Sequence, residues 1–362
     1  MKQLLLIAAL ILLAMPAGAS ESESTPERRT KTFTVQKGGD LDVSVSGGDI
    51  RLVPWGKNEL TVTAEGIDDG DLDDLSMTQE GQTVTISFRP RWGSSGDVRF
   101  TVNLPSQFNV RAHTSGGDIA VDGAISGTLS GSTSGGDIRT GAIEGPTTLK
   151  TSGGDITLGR INGKTEVKTS GGDIRIESVS KDLSASTSGG DVQVGDIGGE
   201  AQLKTSGGDV RVGKVTGKAS LRTSGGNIEL QGASGATDVM TAGGNIRLNN
   251  LTGSITAKTA GGNIDAEING TRGGRSDLKT AAGNVVVSIG ADVKATIEAA
   301  ISLRGSRRNA KSGGFAIHSD FTAEPAQSEK DGGEIREVYR INGGGERITI
   351  MTSEGNIEIR KK

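Results

Sequence analysis

Cysteine is absent from all 362 residues, so the chain can build no disulfide framework, thiolate zinc site or cysteine nucleophile. Histidine is nearly absent too. His113 and His318 leave almost nothing from which to assemble a Ser-His-Asp triad or a histidine-rich zinc centre, and their bland reading is as surface or cap residues. The nine large aromatics (Phe33, Trp55, Phe88, Trp92, Phe100, Phe108, Phe315, Phe321 and Tyr339) avoid the stretch between Asn109 and Gly314, which limits its interior to small and medium aliphatics. Charge of one sign is also missing. A formal net charge of −4, with acids and bases interleaved, argues against nucleic acid as a partner. The apolar run from Leu4 to Met15 is too short to span a bilayer, no later run could span one, and no basic amphipathic segment suits a lipid surface.

Glycine is what the chain has in excess, 58 residues of it, and much of it falls into one recurring phrase. Thr-Ser-Gly-Gly-Asp-Ile begins at Thr151 and Thr169, Thr-Ser-Gly-Gly-Asp-Val at Thr187 and Thr205, and versions with Asn begin at Thr223, Thr241 and Thr259. Thr114 and Thr133 open earlier copies. A fixed period of eighteen residues is the signature of a solenoid, in which each repeat buries its apolar face only by stacking on its neighbours. Within the repeat, Leu149, Val167, Ala185, Leu203, Leu221 and Val239 form one apolar column. Ile156, Ile174, Val192, Val210, Ile228 and Ile246 form a second, and Leu158, Ile176, Val194, Val212, Leu230 and Leu248, two residues on, a third. Apolar side chains two apart, many β-branched, are strand periodicity.

The expected fold is therefore all-β, a single-stranded parallel β-solenoid of eighteen-residue coils, wound as a right-handed β-helix and closed by β-rich caps at both ends. Each coil has two short strands and two corners. The corners Gly-Gly-Asp (or Asn) and Asn162-Gly163 or Thr216-Gly217 are of the residue types that tolerate positive φ. About ten coils at about 4.8 Å each make a rod on the order of 50 Å long. The repeated threonines are expected to bond one another or the corner backbone.

Residues 1–19 read as a signal peptide: a basic start, an apolar run and the small-residue site Ala17-Gly18-Ala19. The absence of a cysteine after it excludes lipoprotein anchoring. Residues 20–31 form a linker, 32–110 an N-terminal β cap with the first coils, 111–290 the regular solenoid, and 291–362 degenerate coils with a polar loop over about 304–334. Periplasmic, cell-surface or secreted placement follows, without membrane insertion of the mature chain. A monomer, or weak end-to-end association through the sheet edges, is expected.

Two acidic patterns invite a metal. Asp118, Asp137, Asp155, Asp173, Asp191 and Asp209, continued by Asn227, Asn245 and Asn263, should line one edge of the rod as a corner column. Stacked like charges repel by about 1 kcal/mol per neighbour in water, so something must compensate them. The candidates are backbone amides, Arg139, Arg175, Arg211 and Arg247, and the parallel column Lys150, Lys168, Lys204, Arg222 and Lys258. Replacement of Asp by Asn fits turn chemistry and not a calcium ladder. In Asp68 to Asp74 the spacing of Asp69, Asp71 and Asp73, with Glu80 as the closing acid, mimics a calcium loop, but Asp74 stands where that loop needs glycine. Trp55 and Trp92 could stack on a sugar ring, or fill the cap core.

The repeated Ser-Gly-Gly-Asp-Ile, Val102-Asn103-Leu104-Pro105 leading into the first coil, and the terminal Thr352-Ser353-Glu354-Gly355-Asn356-Ile357-Glu358-Ile359 resemble a family of bacterial exported β-strand-repeat proteins. That family is a domain of unknown function that carries an adhesin label. The resemblance covers most of the mature chain and implies the architecture, but it carries over no catalytic residue and no cofactor. Three readings follow. The leading one is a non-enzymatic, adhesin-like scaffold that engages an envelope or extracellular protein or glycan through a long flat face. The others are a carbohydrate-active enzyme on a parallel β-helix and a calcium-stabilised rod.

Overall fold

The structure is a computed structural model that describes residues 27–90, 97–272, 274–302, 314–324, 329–331 and 334–362. The signal peptide, most of the linker, Trp92 and most of the polar loop lie outside the described residues. Apart from one 3₁₀ turn, Asp69–Asp74, the described secondary structure is all strand. The strands form two long sheets that are parallel through the middle. Ile156–Ile161, Ile174–Val179, Val192–Ile197 and Val210–Val215 are successive members of the first sheet, and Thr147–Lys150, Thr165–Lys168, Leu183–Ser186 and Ala201–Lys204 of the second.

Repetition in sequence is stacking in space. Ile156 pairs with Ile174 and Val192 with Val210 in the first sheet, and Leu149 pairs with Val167 in the second. One turn of chain visits both sheets and leaves a narrow interior between them. In the turn that starts at Val192, the inward residues Val192, Val194, Ile197, Ala201, Leu203 and Thr205 are all buried. Ile197 belongs to an apolar column, Ile125, Ile143, Ile161, Val179, Ile197 and Val215, that lies where the first-sheet strand reaches the second corner. It escapes a period-two reading because it falls three residues after Val194, beyond an irregular step at Gly195 and Asp196.

The corner glycines correct one expectation. Gly154, Gly163, Gly172, Gly208 and Gly217 are not in the positive-φ region; among the described residues that region is occupied by Gly38, Gly48, Gly66, Gly81, Gly123, Gly127, Gly274, Gly343 and Gly344 and by Asn250 and Asn342. The repeated glycine is demanded by closeness. A Cβ on the second glycine of each pair would lie under 3.0 Å from the carbonyl of the equivalent glycine one turn below, as Gly154 does over Gly136 and Gly244 over Gly226. The first glycine has more room, with 3.5 Å to the carbonyl below at Gly243.

The chain leaves and rejoins the stack twice. Asp49–Trp55 pairs directly with Ile119–Val121, and the residues between them supply Glu59–Ile67, second from the edge of the first sheet, and Leu75–Glu80 of the second, both antiparallel to their neighbours. Phe88, Phe100 and Phe108 are fully buried there, with Phe88 and Phe100 ring centroids 5.8 Å apart. The outermost strand, Glu27–Thr34, bears Arg28, Arg29 and Lys31, charges that discourage pairing with a further strand. At the other end Val285–Ile289 pairs with Ile357–Lys361, so the last repeat in sequence stacks on a turn seventy-two residues earlier. Ala295–Ser302 and the antiparallel Glu334–Ile341, with buried Tyr339, lie outside it in the second sheet.

Candidate functional site: the ladder at the Gly-Gly corner

Each repeated threonine ties two corners together. Thr151 Oγ1 donates to the carbonyl of Gly136 in the turn below (2.8 Å) and accepts the N–H of Gly154 in its own turn (3.4 Å). The same pair of bonds recurs at Thr169, Thr187, Thr205, Thr223, Thr241 and Thr259. These hydroxyls bond corner backbone, as a buried hydroxyl flanked by a carbonyl and an amide should.

Next to this clamp the corner acids form a continuous chain of hydrogen bonds. The N–H of Asp155 donates to Oδ1 of Asp137 (2.7 Å), that of Asp173 to Asp155 (2.8 Å), and that of Asp209 to Asp191 (2.8 Å). Asn227, Asn245 and Asn263 continue it unbroken, because an amide oxygen accepts as a carboxylate oxygen does. The structure thus brings Asp118, Asp137, Asp155, Asp173, Asp191, Asp209, Asn227, Asn245 and Asn263 into one line. It also adds members that the regular spacing hid. Asp49 begins the ladder under Asp118, and Asn284 and Asn356 end it, with Asn356 Oδ1 accepting from the N–H of Ala316. The signal was present as Ser46-Gly47-Gly48-Asp49 and as Gly-Asn at 283–284 and 355–356, but the excursions in chain separated them.

The second carboxylate oxygens are shared in pairs by arginines placed on every other turn. Arg175 bonds Asp173 Oδ2 at 2.5 Å and approaches Asp155 Oδ2 at 3.4 Å; Arg211 does the same with Asp209 (2.5 Å) and Asp191 (3.3 Å). Arg139 serves Asp137 at 2.5 Å and Asp118 at 3.7 Å. The lysine column plays no part in this. Lys150 pairs with Glu166 (3.6 Å) and Arg222 with Asp238 (2.5 Å), both on the second sheet, so compensation of the corner acids falls to backbone amides and these three arginines, with Arg99 3.7 Å from Asp49 at the start of the ladder. Arg247 sits in the corresponding place above Asn245 and has no ion pair or side-chain hydrogen bond among the described residues.

Here the surface opens into a groove of about 490 Å³, lined by Asp209, Arg211, Asn227, Glu229, Arg247 and Asp265 among others. Beyond it, Arg360 grips Glu358 through two bonds (2.7 and 2.8 Å) and holds that carboxyl below its usual range. Lys362 bonds Glu267 and lowers its carboxyl likewise, against a smaller opposing effect of burial.

The other expected sites are not assembled. Asp69, Asp71 and Asp73 lie on the 3₁₀ turn, whereas Glu80 lies at the far end of the six-residue strand that follows. Among the described residues no group of three or more His, Cys, Asp or Glu could hold a metal ion. His113, bonded to Ser132 Oγ (2.9 Å), and His318 are both exposed and sit toward opposite ends of the stack. Trp55 is half-buried rather than core, its Nε1 donating to the carbonyl of Glu59 (2.8 Å) and Lys57 Nζ 4.6 Å from its ring centroid. No helix of the described residues is long and apolar enough to cross a membrane.

A family model, Toastrack DUF4097, matches residues 38–212 and again 199–360, which together take in the whole ladder. The chain belongs to this family. Toastrack is a domain of unknown function, so membership fixes the architecture of the repeat and leaves its ligand open. Solved structures are similar over most of the length at low identity. A protein from Clostridium sporogenes named for proposed cell adhesion is 11% identical, with 93% of this chain and 100% of that chain covered at a TM-score of 0.21. A proposed adhesin from Bacteroides fragilis is 12% identical (93% and 97% covered, TM-score 0.21), and a proposed lipid-binding protein from Parabacteroides distasonis 14% (92% and 96%, TM-score 0.26). Scores this low carry no argument about function. No curated protein of known function matches the chain.

Proposed function

We infer that this Toastrack protein is an exported, non-enzymatic scaffold that binds a component of the cell envelope or its surroundings along the corner face of the rod. The single observation that supports this most is the ladder itself. It presents an Asp or Asn side chain on consecutive turns, from Asp49 to Asn356, on a surface whose backbone is locked by the threonine clamp. A rigid face with a regular repeat suits an extended partner that also repeats. The corner carboxylates are already engaged by amides and arginines, which favours a structural role for them over cation binding or catalysis. In this reading residues 1–19 direct export and are removed, 20–26 lead to the strand Glu27–Thr34, which joins 32–110 as one cap and so shortens the expected linker of 20–31, 291–362 form the other cap of the solenoid of residues 111–290, and the coil winds right-handed. The mature protein works outside the cytoplasm as a monomer. The test is co-sedimentation of the purified protein with isolated envelope polymers and membranes. Saturable binding that charge changes on the corner face weaken is expected; no binding to any fraction at micromolar protein would overturn the reading.

A further inference from the structure

Along the aspartate half of the ladder Arg139, Arg175 and Arg211 on the outer column each have two carboxylates, one from the same turn and one from the turn below, whereas Arg51 at the start of the column turns to Asp122. Arg247 occupies the same position two turns beyond Arg211. Its two equivalents of those carboxylates are Asn245 and Asn227. The orientation of both amides is fixed by the ladder, because Oδ1 of Asn227 accepts the N–H of Asn245 (2.9 Å) and Oδ1 of Asn245 that of Asn263 (2.8 Å). Nδ2 therefore stands where each aspartate has Oδ2. One Nδ2 hydrogen of Asn227 is directed at Asp209 Oδ1 (3.3 Å), which leaves the second hydrogen and the whole Nδ2 of Asn245 free of a described partner. A guanidinium and two amide groups thus line one exposed groove, and no hydrogen bond or ion pair among the described residues engages the guanidinium. Donors so placed call for an anion, and a planar carboxylate is the group that fills this position elsewhere on the same molecule.

We propose that Arg247, Asn245 and Asn227 bind the carboxylate of a hydroxylated sugar acid, a uronate unit of an acidic glycan. This rests on the envelope-binding reading above and names its ligand. The flanking residues fit such a ligand better than a bare anion. Glu229 and Asp265 pair with Arg247 across the neighbouring strands, and neither forms an ion pair with it. Glu229 is tied to its own strand through Gln231 Nε2 (2.8 Å). Two carboxylates on either side of a donor cluster disfavour the double charge that phosphate concentrates on one group, and they can accept hydroxyl hydrogens from a sugar ring. The groove's volume of about 490 Å³ is in the range of small-molecule sites, roughly 300–1,000 Å³.

The experiment is calorimetric titration of the purified protein with digalacturonate, its neutral methyl ester and inorganic phosphate. The acid should bind, and esterification should weaken it about tenfold or more, the cost of one charge-assisted contact. Arg247→Gln should do the same. The double change Asn227→Asp with Asn245→Asp should also abolish binding, since it refills the site with the protein's own carboxylates as around Arg211, and it recreates a corner the rod already folds. Lys150→Gln, on the second sheet, should leave affinity unchanged. Failure of the wild-type protein to bind the diuronate, equal binding of ester or phosphate, or undiminished binding by either groove variant with an unchanged melting temperature would overturn the assignment. Envelope co-sedimentation that survives Arg247→Gln would sink this site while leaving the broader scaffold reading standing.

Discussion

Two adjacent glycines that look interchangeable in sequence should respond oppositely to alanine. At Gly243 an added methyl meets the carbonyl of Gly225 at 3.5 Å, an ordinary contact, whereas at Gly244 it falls under 3.0 Å from the carbonyl oxygen and carbon of Gly226 and from the N–H of Asn227. Relief at Gly244 requires the two turns to separate at the corner. That breaks the bond of Thr241 Oγ1 to Gly226 (2.9 Å) and the ladder bond from Asn245 to Asn227 (2.9 Å). At about 1 kcal/mol net for each bond and about 1–3 kcal/mol for overpacking, Gly244→Ala should cost roughly 3–5 kcal/mol. Gly243→Ala should lie within about 1 kcal/mol of wild type, on the stabilising side if the unfolded chain loses freedom without native strain. Urea unfolding followed by circular dichroism measures both. Hydrogen exchange should also place the loss in Gly244→Ala at the amides of the two turns that meet there, since a solenoid fails first at its weakest interface. Equal destabilisation by the two alanines would refute the close-approach argument, and so would a loss below 1 kcal/mol at Gly244.

The threonine clamp predicts that Thr205→Val, nearly isosteric, strands the Gly190 carbonyl and the Gly208 N–H and costs about 1–3 kcal/mol in urea unfolding, while Thr205→Ser retains most of the stability. Chelation should leave the melting temperature unchanged, because the corner carboxylates are held by amides and arginines; a drop of several degrees with EDTA, reversed by calcium, would show that the ladder is metallated. The Lys362 contact lowers the carboxyl of Glu267 from its usual 4.5, so its contribution is fully present above that value and is lost as pH falls through the lower folded one. Lys362→Ala should move the NMR titration midpoint of Glu267 upward, and an unmoved midpoint would contradict the contact.

The repeat made the stack legible because a β-solenoid places residues one period apart directly over one another, so a list of copies is already a list of neighbours. Leu149 over Val167 and Ile156 over Ile174 needed nothing beyond the alignment. The failures occur where that equivalence of sequence and space breaks. Asp49 lies under Asp118, and Asn356 over Asn284, across insertions whose strands turn antiparallel to cap the sheets. Their membership of the ladder is set by tertiary return of the chain, which no local period records. The lysine column failed for a different reason. Lys150 is as regular in sequence as Arg175, but it precedes the corner and faces outward on the second sheet, where Glu166 is its partner.

The glycine rationale failed more usefully, since residue type suggested a backbone angle and the structure requires a missing side chain. The sequence contains its own evidence for the distinction. In the copy at Thr280 the first glycine of the pair is Ala282 and in the copy at Thr352 it is Glu354, while the second remains Gly283 and Gly355. A positive-φ turn would have let Asn or Asp take the second position. A carbonyl stacked directly beneath admits only hydrogen, and both Gly283 and Gly355 meet that carbonyl under 3.0 Å. The same stacking constraint explains why Asp and Asn exchange freely one residue later: the ladder needs only an oxygen at Oδ1, so the identity of the other atom is left to the surface. That free choice turns an arginine-filled column of acids into an open set of donors at Arg247, so local chemistry can vary along the rod at no cost to the fold.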